Sequence, residues 1–86
     1  MNNRIFYSGP TITGVATRNT IYDGTPEPLA AAIRAAPYIA GLCLPLSGMA
    51  DALSQIERKQ GGIYNLYTKA VRESESIRAA VQEGAN

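Results

Sequence analysis

The chain has no histidine, no tryptophan and a single cysteine in 86 residues. Without histidine it lacks the commonest general base, the Ser-His and Cys-His nucleophile pairs, and most zinc sites. The lone Cys43 allows no intramolecular disulfide, and no basic-then-apolar leader follows Met1, so a cytoplasmic location is expected. An excess of one charge sign is also missing. Eight basic against seven acidic residues leave +1, too little counterion release to favour general nucleic-acid binding. There is no long apolar run either: the uncharged stretch after Arg34 ends at Ala50 and is interrupted by Pro37, Gly41, Pro45 and Gly48. That is too short and too broken for a bilayer span, so no membrane partner is expected.

Carboxylates do not gather in pairs suited to metal or proton chemistry. Glu73 and Glu75 are two apart and diverge on a helix, so no metal site is expected. Ser8-Gly9-Pro10 and Gln60-Gly61-Gly62 fit neither a phosphate loop nor a dinucleotide fingerprint, and no cofactor is expected. Cys43 sits between Leu42 and Leu44, an apolar setting that raises a thiol pKa and suppresses reactivity. With so few convergent titratable groups, the chain reads as a non-catalytic protein and not an enzyme.

What is present is a run of residues spaced alternately four and three apart: Met49, Leu53, Ile56, Gln60, Ile63, Tyr67, Ala70, Ser74, Ile77 and Val81. Eight of these ten are apolar or aromatic, the spacing of a helical seam that packs lengthwise on another helix. Such a seam needs a partner, within the chain or on another copy.

Composition divides the chain into zones within a single small domain. Residues 1–24 favour extended structure, with β-branched and aromatic residues in Arg4-Ile5-Phe6-Tyr7, Thr11-Ile12-Thr13, Val15-Ala16-Thr17 and Thr20-Ile21-Tyr22. They form either a short β-ribbon on the helices or an extended arm that pairs with another subunit. A first helix is expected over 25–44, with Thr25 as N-cap and Pro26 in the first turn, and with a break or kink near Pro37. Ala32, Ala36, Ala40 and Gly41 would let a neighbouring helix approach closely. After Leu44-Pro45-Leu46-Ser47-Gly48, with Ser47 able to cap, residues 47–83 form one long helix or two divided at Gly61-Gly62. The seam stays in phase across the glycines, which favours a continuous or bent helix, whereas their cost in a helix interior favours a turn. Gly84-Ala85-Asn86 is a helix stop. The fold class is thus mainly α, a helical hairpin or small bundle with an extended or ribbon-like N-terminal segment. In size and layout it resembles the helical-hairpin subunits of secretion needles, but their proline-bounded polar turn is absent and no family is assigned.

Two groups of residues are candidates for binding. The interface set is Met49, Leu53, Ile56, Ile63, Tyr64, Tyr67, Ala70, Ile77 and Val81, which suits self-association through the seam. The second set is Arg4, Tyr7, Arg18, Tyr22 and Arg34, where aromatic faces and guanidinium groups supply what a small anionic, nucleotide-type ligand needs. Arg34 stands alone among alanines, with Glu27, Asp51 and Glu57 as candidate partners. The leading expectation is a protein-interaction or structural assembly subunit that binds protein, itself included. The alternative is a small soluble inhibitor or ligand-sequestering protein of the kind phage and mobile-element genes encode.

Overall fold

A computed structural model describes residues 4–84, so Ala85 and Asn86 of the expected helix stop lie outside the described residues. The chain is mainly helical with a small antiparallel sheet. Strand β1 (Arg4–Tyr7) lies at the centre of the sheet, between β2 (Thr20–Asp23) and β3 (Cys43–Pro45). Ile5 faces Tyr22 and Pro45, and Tyr7 faces Thr20 and Cys43. The described part of the N-terminal zone therefore pairs within its own chain, β1 on both sides and β2 on one. β3 occupies residues expected to extend the first helix or form a turn. Pro45, which cannot donate a ladder bond, is tolerated because β3 is an edge strand.

Ile12, Val15 and Ala16 do not form strands. A turn closed by the Val15 amide donating to the Ile12 carbonyl (2.9 Å) folds the segment on itself, and Gly14 supplies the positive φ of +81° at the turn's third position. The fold drives Ile12, Val15 and Ala16 into the core, where each is less than 10% exposed.

Helix α1 (Glu27–Ala35) begins later than expected. Pro26 is its N-cap, and no side chain caps it, so Thr25 does not play that role. It ends where Pro37 dictates, because the ring disfavours helical angles at the preceding residue and Ala36 turns out to φ −139°, ψ 86°. A 3-10 helix (Pro37–Leu42) follows, and a second (Leu46–Gly48) contains Ser47 and leads into α2 (Met49–Arg58) without a side-chain cap. The close approach expected of the small residues occurs at Gly41, where an added Cβ would fall 2.7 Å from Leu66 Cδ1.

Residues 47–83 are not one continuous helix. α2 closes in a Schellman motif: the Gln60 amide bonds Gln55 O (3.1 Å), the Lys59 amide bonds Ile56 O (3.2 Å), and Lys59 itself takes φ +57°. Gly61 then adopts φ +104°, the chain turns, and α3 (Gly62–Arg72) packs against α2. The chain breaks once more at Glu73 (φ −102°, ψ 8°), where Ser74 Oγ donates to Val71 O (3.0 Å), before α4 (Ser74–Gly84) packs along α1. Side-chain bonding of serine to the preceding turn competes with helix continuation, so no glycine or proline is needed here.

The core joins the sheet, the 11–17 turn, α1, the first 3-10 helix, α3 and α4. Tyr7, Leu29, Ala32, Ile39, Leu42 and Ala70 are fully buried, and Ile77 and Val81 close the α4 side. Among the described residues no helix is long and apolar enough to cross a membrane.

Candidate interaction surface and ligand cleft

The turn after α2 divides the seam residues into two groups. Ala70 (0% exposed), Ile77 (3%) and Val81 (8%) pack inside the chain's own core, and Ile63 and Tyr67 pack partly buried against it. Their partner is thus within the chain. Met49, Leu53 and Ile56 on α2, with Tyr64 on α3, remain at the surface or half-buried. Leu53 is 38% exposed, and Ala52 is the residue of α2 that is buried, although the helix is amphipathic in sequence. On α3, Val71 is 47% exposed, and it continues the Tyr64-Tyr67 side at helical spacing. In the sequence Ile63, Tyr64, Leu66, Tyr67, Ala70 and Val71 make a wide apolar face at helical spacing, which does not by itself show which part of that face the core uses.

The α2–α3 hairpin is held by a specific polar relay. Gln55 Nε2 donates to Asp51 Oδ2 (2.9 Å), which fixes the amide so that its Oε1 accepts from the Ile63 backbone N–H (2.9 Å). One of the unpaired amides at the start of α3 is therefore capped by a side chain of α2. The relay ties the start of α3 to α2.

The five candidate ligand residues do not converge on one site. Tyr7 is fully buried, its hydroxyl donates to Pro10 O (2.7 Å), and burial raises its pKa well above the ordinary tyrosine value. Its ring offers no stacking face. Tyr22 is half-buried, and its hydroxyl accepts from the Thr17 backbone N–H (2.8 Å). Arg18 lies over the Tyr67 ring, 5.3 Å from its centroid. Arg4 is exposed on β1, across from Asp23 in the sheet register. Arg34 pairs with Glu27 at 2.9 Å. Asp51 and Glu57, the other partners considered for Arg34, lie on α2, where Asp51 binds Gln55.

Arg34 lines a cleft. Its volume is about 200 Å³, and it lies between the tip of the 11–17 turn, α1 and α4. A larger, open hollow of about 390 Å³ is bounded by the 11–17 turn alone.

Two further groups are structural in character. Tyr38 donates to Glu73 Oε1 (2.8 Å) while Lys69 Nζ sits 4.5 Å from its ring centroid, tying the first 3-10 helix to the end of α3. Burial, then the bond to Glu73 and its negative charge, push the Tyr38 pKa up to about 12. Cys43 is half-buried on β3, and burial pushes its thiol up to about 11, so it is protonated at neutral pH.

The chain matches no protein family, and no curated protein or solved structure shows significant similarity to it.

Proposed function

We propose that this protein is a non-catalytic interaction and assembly subunit that associates with copies of itself through the α2–α3 hairpin. The observation that supports the reading is the exposure of large apolar side chains on both helices, Leu53 on α2 and Val71 on α3, while Met49, Ile56 and Tyr64 are only half-buried. The surface is smaller than the full seam, because Ala70, Ile77 and Val81 serve the chain's own core. The tie of α3 to α2 through Asp51 and Gln55 also suits a binding surface, since little ordering is left to be done on association.

The test is Leu53→Asp combined with Val71→Asp. Both side chains are outside the buried core, so helicity by circular dichroism should be unchanged while light scattering falls to the 9.2 kDa chain. An unchanged multimer mass in the double variant would remove this surface from consideration. The sequestering alternative draws on one observation, the presence of Arg34 in a cleft.

A further inference from the structure

The cleft between the 11–17 turn, α1 and α4 has a divided chemistry. Pro28, Ala31 and Val81 give it an apolar wall, and Glu27, Arg34 and Gln82 form its polar rim. The two rim charges are already in contact: Arg34 Nη2 and Glu27 Oε1 lie 2.9 Å apart. Their side chains are 66% and 79% exposed, so the pair is screened by water and contributes little to stability. Opening it for a ligand is therefore cheap.

We propose that this cleft binds a small zwitterion with an apolar body, an apolar α-amino acid. The head group enters the rim pair, its carboxylate accepting from the Arg34 guanidinium and its ammonium donating to Glu27, while the side chain covers Pro28, Ala31 and Val81. Charge complementarity selects this class over its relatives. A simple anion would gain Arg34 but face the Glu27 carboxylate, and a simple cation would gain Glu27 but face Arg34. A dipolar head satisfies both, and the charge-assisted hydrogen bonds it forms replace the one it displaces. Size points the same way. At about 200 Å³ the cleft lies below the range of about 300 to 1,000 Å³ typical of drug-sized ligands and suits a single amino acid. This inference is independent of the assembly reading, since the cleft lies on α1 and α4 and not on the α2–α3 hairpin.

The experiment is a two-dimensional NMR titration of the labelled full chain with L-leucine up to about 10 mM, beside 4-methylpentanoate and leucinamide, which lack the ammonium and the carboxylate respectively. Leucine is expected to shift the amides of Ala31, Arg34, Val81 and Gln82, with each analogue weaker by about tenfold or more. Arg34→Ala and Glu27→Gln should each abolish the leucine shifts and leave the rest of the spectrum in place, because both side chains are mostly exposed. No response to leucine at those amides would overturn the proposal. Equal binding of 4-methylpentanoate would also overturn it, by making the cleft a simple anion site.

Discussion

Adjacent glycines carry opposite meanings in this chain. Gly61 holds φ +104°, and a Cβ there would collide with the Gln55 side chain, whereas a Cβ on Gly62 meets open space at the start of α3. Gly61→Ala is expected to cost about 1 kcal/mol or more, and Gly62→Ala to stabilise by about 0.5 kcal/mol, read from urea midpoints. Lys59 is the complement of this pair. It occupies the left-handed position that glycine usually fills in a Schellman motif, so Lys59→Gly should stabilise by about 0.5 to 1 kcal/mol in the same assay. Tyr38 gives a pH dependence of definite sign. Its folded pKa of about 12 lies above the ordinary 10.0, so the fold favours the neutral phenol, and that stability is intact below pH 10 and lost as pH rises from 10 towards 12. Tyr38→Phe should flatten, though not abolish, the alkaline fall in stability, because Tyr7 is shifted in the same direction.

At the scale of elements, legibility followed the strength of the local signal. Pro37 announced a break or kink in a helix expected over 25–44, because its ring acts on the residue before it, and α1 stops there with Ala36 out of helical angles. The glycine pair marked the place where α2 and α3 divide, although the left-handed residue that closes α2 is Lys59, which has no preference for that region. The break at Glu73 had no such signal and involves a serine hydroxyl that turns back on the helix. β3 was hidden because Cys43-Leu44-Pro45 has no strand pattern of its own and pairs only because β1 offers an edge. The cap on α3 comes from Gln55, eight residues before Ile63 and on another helix, which no local rule reports. Gln55→Ala should therefore cost about 1 kcal/mol through the lost cap, measured by chemical denaturation. In the N-terminal zone the structure takes the ribbon of the two alternatives. Residues 1–24 read equally as ribbon or arm, but Tyr7, Ile12, Val15 and Ala16 belong to the central core and β1 is the middle strand. A chain beginning at Thr25 should consequently lose most of its helical circular dichroism, where an arm would have left helix content intact.

At the scale of the whole molecule, the chain measures 37 × 34 × 18 Å, and its core occupies the junction of α1, α4, the sheet and the 11–17 turn. The general class, helices with a small ribbon, was legible from composition and periodicity. The candidate sites were legible only in part, because periodicity marks which residues avoid water and does not say whether the covering surface lies in the same chain. Ala70 and Leu53 share one seam in sequence, yet the turn at Gly61 sends the first inside and leaves the second 38% exposed. Likewise Arg34 and Tyr7 share a candidate list, but one lines a cleft and the other is sealed in the core. The central claim is that the exposed apolar side chains of the α2–α3 hairpin join copies of this chain. Its most direct test is sedimentation equilibrium of the unmodified protein from about 1 to 100 μM, a range that spans micromolar association. The account expects a mass rising to an integral multiple of 9.2 kDa, and a mass that stays at 9.2 kDa throughout would contradict it.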